Sequence, residues 1–130
     1  MFPKANSLTE TIIGGAVEVH KSLGPGLTEP AYEWCLLREF ELRGLPTVDQ
    51  KIVRISYKGF VREEPLRFDV LVDGCVLIEC KAVQAVLPIH VAQMLSYMKI
   101  LDVPVGLLIN FNVGRLVDGV HRAILPRSNL

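Results

Sequence analysis

Three residues have the types and spacing to do chemistry together: Asp69, Glu79 and Lys81. Glu79 and Lys81 lie in "LIECKAV", residues 77–83, a stretch that otherwise reads as a buried strand. Burying a charge is costly unless the charge is paired or put to use. Side chains two apart on a strand share a face, so Glu79 and Lys81 point one way and Cys80 the other. Asp69 precedes them, across a turn at Asp73 and Gly74. The parity of that turn decides whether Asp69 joins them. A strict two-residue turn pairs position 72 with 75 and sends Asp69 and Glu79 to opposite faces. A three-residue loop ending at Gly74 pairs 71 with 75, and Asp69 then lies diagonal to Glu79 on one face. An odd-length loop or a bulge is therefore expected.

Two carboxylates meeting in an apolar sheet repel each other unless a cation joins them. All-oxygen ligation suits Mg²⁺ or Mn²⁺, which keep several of their waters. Lys81 would sit beside such an ion, placed to orient or deprotonate a water or to stabilise charge on a phosphate. A plainer reading fits the same residues: Asp69 caps a turn, and Glu79 and Lys81 form a solvated pair. The pattern is short and common, so its surroundings must decide.

The elements that would position these residues follow from periodicity. Ser7 to Glu10 reads as a capping box at a helix start, followed by Ile12, Ile13, Ala16, Val19 and Leu23 on one helical face. Gly24, Pro25 and Gly26 stop that helix. Thr28 caps a second, with Ala31, Cys35, Leu36, Phe40 and Leu42 as its apolar contacts. "VDQKIVRISY" then alternates at period two, as a half-buried strand does. Lys58 and Gly59 form a turn, "LRFDVLV" a second strand and "VLIECKAV" a third. Pro88 opens another helix, and "VPVGLLINF", apolar throughout, reads as a strand covered on both faces. Residues 112–130 add a hairpin or a short edge strand. The order is α-α-β-β-β-α-β, a compact α/β domain.

The chain has 130 residues, half of them hydrophobic, enough for one domain with one core. Fourteen basic residues balance fourteen acidic ones. A large basic footprint for nucleic acid is absent, so any such binding needs a local patch or an oligomer. Three cysteines without a CxxC pair fit a reduced, cytoplasmic chain better than a disulfide scaffold. The N-terminal residues do not form a signal peptide, and no apolar run is long enough to span a bilayer.

"GLTEPAY", with Gly26, Glu29 and Tyr32, resembles the family named for its G-x-x-E-x-x-Y motif. The likeness extends through residues 12–45, "RFDVLVDGCVLIECKAV", "HVAQMLSYMKILDVPVGLLINFNV" and "LVDGVHR". That family is assigned to the PD-(D/E)xK nuclease-like superfamily, whose α-β-β-β-α-β core matches the order above. The resemblance implies a restriction-endonuclease-like core, with a mixed four-stranded sheet flanked by helices, and a Mg²⁺- or Mn²⁺-dependent nuclease acting on nucleic acid, DNA before RNA. Asp69 and Glu79-Cys80-Lys81 match the D…E-x-K core. Phe68 stands where the literal motif has Pro, a loss without chemical consequence. Glu29 resembles the third acid, supplied from the helix before the sheet. Glu29, Asp69 and Glu79 would bind the metal, and Lys81 would complete the catalytic set. In its first helical turn Glu29 would also be favoured by the helix dipole alone. Gln93 and Tyr97 resemble the Q-x-x-x-Y of RecB-like nucleases and share a helical face at i and i+4. With His90 they would contact the substrate, although a histidine near a helix start is as often structural. His20 is equally open. Tyr32 is expected to pack rather than to hydrogen-bond a site carboxylate. Cys80 reads as an inert core residue, and Gly14–Gly15 as a place of close helix packing.

A catalytically silent module binding nucleic acid or a protein is the alternative. A third reading is a structural homodimer, paired through residues 112–125. Lys51, Arg54, Lys58, Arg62 and Arg67 form either a modest basic patch or an ordinary solvated face.

Overall fold

The computed structural model describes residues 3–126. Helix α1 spans Pro3–Leu23 and α2 spans Glu29–Leu42. The first starts earlier than the capping box suggested. Proline suits a first turn, having a preset φ and no amide to leave unpaired. Ser7 to Glu10 thus lie inside the helix, and the Thr9 hydroxyl donates back to the Ala5 carbonyl at 2.8 Å. On the expected face Ile12, Ala16 and Val19 are buried. In α2 the Thr28 side chain accepts from the Ala31 amide, as a cap should. Its buried row is Tyr32, Leu36 and Phe40, while Leu42 is exposed.

Strands β1 (Thr47–Tyr57), β2 (Phe60–Val72) and β3 (Val76–Lys81) form an antiparallel meander. Helix α3 (Pro88–Leu101) crosses over to β4 (Val105–Asn110), which runs parallel to β3. A fifth strand, β5 (Val120–Ile124), pairs antiparallel with β4 after a 3₁₀ turn at Leu116–Gly119. The sheet order is β1-β2-β3-β4-β5. The sheet is mixed but has five strands, not four. The short sequence VHRAI carries too little alternation to stand out, and pairing with β4 makes it a strand. It uses part of the segment 112–125 within the chain's own sheet. The last four residues lie outside the described part.

Both faces of the sheet are covered at its centre, over β3, β4 and the end of β2. On one side α1 and α2 pack against Val70, Val72, Ile78, Cys80, Leu107 and Ile109. On the other, Met94 and Met98 of α3 pack against Leu71, Leu77 and Leu108. All six residues of β4 are buried, as its unbroken apolar run implied. Burial of each such side chain contributes about 1.5–3 kcal/mol, and this core fixes the strands that carry the polar residues. Gly119 allows one close approach: a Cβ there would stand 2.0 Å from the Asn110 carbonyl oxygen.

Candidate active site

The turn between β2 and β3 has odd length, as expected, but its register is shifted by one position on each strand. Val72 pairs with Val76, Leu71 with Leu77 and Val70 with Ile78. The loop is therefore Asp73, Gly74 and Cys75, closed by the Cys75 amide donating to the Val72 carbonyl at 3.0 Å. Continued one step, this register sets Asp69 directly opposite Glu79. The β1–β2 ladder breaks at the same place: Val48 pairs with Leu71, and Gln50 with Arg67. Asp49 thus faces three residues, Phe68, Asp69 and Val70. A bulge of this kind re-aims a side chain, and it explains how both Phe68 and Leu71 reach the α3 layer of the core. The Cys80 amide donates to Asp69 Oδ2 at 2.7 Å, fixing the carboxylate across the strands.

Strand β3 ends at Lys81, two residues before the apolar pattern does, because the next amides turn to side chains. The Ala82 amide donates to Glu29 Oε2 at 3.3 Å, and the Val83 amide to Asn110 Oδ1 at 3.1 Å. Asn110 Nδ2 donates back to the Val83 carbonyl at 3.0 Å. Glu29 Oε1 lies 3.9 Å from Lys81 Nζ, so one carboxylate ties the start of α2 to the end of β3. Tyr32 holds the loop that delivers Glu29. Its hydroxyl donates to the Gly24 carbonyl at 2.5 Å and accepts from the Leu27 amide at 3.1 Å. Its ring stacks on Phe111, with centroids 4.4 Å apart. Gly24 and Gly26 have φ of 68° and 101°, values that a side chain would strain. The spacing of Gly26, Glu29 and Tyr32 is thereby explained: glycine turns the chain, tyrosine pins the turn, and glutamate projects from it.

Glu29, Asp69, Glu79 and Lys81 line a cleft of about 380 Å³, shared with Glu33, Asp49, Arg67, Phe68, Gln93 and Tyr97. Asp69, Glu79 and Lys81 all face into it. Burial pushes the Glu79 carboxyl up to about 8, with the neighbouring Asp69 charge adding to the effect and Lys81 only partly opposing it. Glu79 Oε1 is buried and has no hydrogen-bond partner. Burial likewise pushes Glu33 up to about 7, reinforced by Asp69 and then Asp49. Glu33 and Asp49 escaped the sequence reading. For Glu33 a signal existed, since it follows Glu29 at i+4 and shares its helical face. Asp49 lies on an exposed alternating strand and resembles any solvated residue.

Gln93 and Tyr97 sit on the α3 wall of the cleft, with Gln93 Nε2 donating to the Tyr97 hydroxyl at 3.2 Å. His90 is not among the lining residues. Its Nδ1 accepts from the Leu87 amide at 3.0 Å and so caps the start of α3. His20 is buried, with Nε2 2.9 Å from the Val113 carbonyl oxygen. Cys80 faces the opposite side, in the α1–α2 core, and burial holds its thiol well above its ordinary range, which makes it a poor nucleophile.

The donors are hard oxygens, one of them buried without a partner, and this chemistry fits a hard divalent cation. Among the described residues, however, no group of three or more Asp, Glu, His or Cys side chains is arranged to hold a metal ion as it stands. Nor is any described helix long and apolar enough to cross a membrane.

No curated protein matches the chain. Among solved structures it is similar to the crystal structure of SSO0001, with a TM-score of 0.49 and 16% identity over 94% of this chain and 80% of that one. The family model of the PD-(D/E)XK nuclease superfamily matches residues 6–123, a span that includes Glu29, Asp69, Glu79 and Lys81, and the chain belongs to that superfamily.

Proposed function

We propose that the protein is a divalent-metal-dependent nuclease hydrolysing phosphodiester bonds in nucleic acid. The observation that carries this reading is the grouping of Asp69, Glu79 and Lys81 in one cleft, with a buried, unpartnered carboxylate oxygen at its floor. Nucleases of this superfamily generally use divalent metal ions. Asp69 and Glu79 would hold Mg²⁺ or Mn²⁺, with Glu29 reaching it directly or through water. When bound, the ion supplies positive charge to the phosphate and lowers the pKa of a water.

The remaining work belongs to the chain. Asp69 is locked by the Cys80 amide, so its other oxygen keeps one direction. The Lys81 ammonium, restrained beside Glu29, would orient the attacking water, whose proton passes to solvent, and would offset charge gathering on the phosphate until the leaving oxygen takes a proton from solvent. Glu29 holds that ammonium in place. Gln93 and Tyr97 present hydrogen-bond donors from α3 toward the substrate backbone.

A silent module that binds nucleic acid without cutting it is favoured by one observation: among the described residues, no three ligands are gathered in advance. Cleavage assays separate the two readings. With Mn²⁺, the protein is expected to cut at least one of single-stranded, duplex and branched DNA or RNA, and EDTA is expected to abolish the cutting. Intact substrates throughout would leave the silent module.

A further inference from the structure

Beyond the bulge, β1 and β2 continue as a two-stranded ribbon, from Gln50 opposite Arg67 to Tyr57 opposite Phe60. Strand β3 pairs with β2 only over Val70–Val72, so no third strand supports this part. Eight residues at ~3.3 Å each make an arm of about 25 Å. An isolated ribbon is marginally stable in water, and this one spends little of its surface on its own chain. Val53 is buried, whereas Ile52 is 66%, Tyr57 67% and Phe60 78% exposed. The arm also concentrates charge. Residues 50–67 contain five basic side chains against two acidic ones, a net charge of +3 in a chain whose total is zero. Arg54 and Arg62 have Glu63 and Glu64 beside them, while Lys58 lies over the Tyr57 ring at the tip. The base of the arm is continuous with the cleft, because Arg67 and Asp49 line it.

We infer that the β1–β2 ribbon is an arm that grips duplex DNA, lying in the major groove beside the cleft with Tyr57 and Phe60 stacking on bases at its tip. The inference rests on the nuclease reading for its choice of partner and deepens it by naming the substrate's form. A B-form major groove is wide enough for a two-stranded ribbon, whereas that of duplex RNA is too narrow. Positive charge on the arm complements phosphate. Two exposed aromatic rings flanking the Lys58–Gly59 turn suit bases that have left the stack, at a DNA end or junction. A neutral or acidic arm with the same apolar residues would instead fit a second copy of the chain, and the excess of +3 is what argues against it.

The test is binding of a fluorescent duplex with short single-stranded ends, followed by anisotropy in EDTA, so that no cleavage is needed. Two double variants are compared with the unaltered chain: Tyr57→Ala with Phe60→Ala, and Lys51→Ala with Lys58→Ala. All four side chains are exposed, so both variants should fold, and their melting temperatures verify it. The aromatic variant is expected to raise Kd about 30-fold or more, for two lost stacks, and the lysine variant about tenfold. The lysine variant should also flatten the slope of log K against log salt by about 1.8, for two phosphate contacts. Equal binding by all three proteins, or no binding by the unaltered one, overturns the arm. So does a change from dimer to monomer in the variants with DNA binding unaffected. Cleavage in Mn²⁺, run on the same samples, is scored separately. A protein that binds through the arm but never cuts loses only the nuclease, and one that cuts while all variants bind alike loses only the arm.

Discussion

Replacing Lys81 with alanine is expected to slow DNA cleavage by about 10²–10³-fold, the range lost when one preorganised donor to developing charge is removed. That corresponds to roughly 3–4 kcal/mol of transition-state stabilisation. The side chain is mostly buried, faces the cleft and has Glu29 as its near partner. Its loss takes away the near ammonium that faces the paired carboxylates, since Lys81 is the group that pulls the Glu79 pKa down. Glutamine at position 81 preserves much of the volume and none of the charge, so Lys81→Gln should be as slow as Lys81→Ala. Arginine keeps the charge but spreads it over a planar group, and partial recovery is expected. Single-turnover rates at saturating Mn²⁺ measure this without interference from product release. A rate within threefold of the unaltered protein would remove Lys81 from the chemistry.

Glu79→Gln should stabilise the metal-free protein at alkaline pH, contrary to the usual outcome for a buried polar residue. The Glu79 carboxyl is pushed from 4.5 up to about 8 by burial and by the Asp69 charge. Between those values the folded state keeps a proton that the unfolded state has released. Where the folded state binds more protons, stability falls as pH rises. The stabilisation is thus full below about pH 4.5 and is lost progressively up to pH 8. Glu33, raised to about 7, acts in the same sense, less strongly because it is more exposed. A tenfold change in proton affinity is worth about 1.4 kcal/mol, and with relaxation of the partly open cleft the expected gain in Glu79→Gln is about 2 kcal/mol at pH 8.5. For a chain of this size that is a rise of roughly 5–10 °C in melting temperature. At pH 5 the two proteins should melt nearly together. Calorimetry across pH 5–9 measures the difference, and a variant that melts lower at every pH would refute the role given to Glu79.

The sequence carries the site's central pair openly. Period two puts Glu79 and Lys81 on one face, and an odd-length turn is the condition for Asp69 to join them. The turn has three residues, yet its register differs from the expected one, because Cys75 enters the loop and Val72 leaves it to pair with Val76. The bulge opposite Asp49 was not legible by itself. "LRFDVLV" reads as a regular strand, and only the pairing with β1 shows that Phe68 and Asp69 occupy extra positions.

The α2 contribution was half visible. Glu29 stood out through its place beside Gly26 and Tyr32, while Glu33, one turn further on, did not. Tyr32 was expected to pack, and it does stack on Phe111. Its second task, holding the loop before α2, depends on backbone atoms that no side-chain pattern reveals. His90 shows the reverse: a residue close in sequence to Gln93 is spent on capping the helix that carries Gln93 and Tyr97. The early start of α1 was missed, and β5 was expected only as a hairpin or a short edge strand somewhere in residues 112–130, for a common reason. Both are short segments whose state is set by what they pack or pair with, not by their own periodicity.

Metal-dependent cleavage requires the Asp69–Glu79 pair to take up a divalent ion, and thermal unfolding with and without Mn²⁺ at pH 7.5 tests that most directly. Binding to the folded state alone stabilises it by about 2.7 kcal/mol at a hundredfold excess over Kd, or roughly 10 °C here. Millimolar Mn²⁺ is expected to raise the melting temperature of the unaltered protein by several degrees, and to leave that of the Asp69→Asn, Glu79→Gln double variant where it was. An unmoved transition in the unaltered protein, or the same rise in the double variant, would contradict metal binding at this pair.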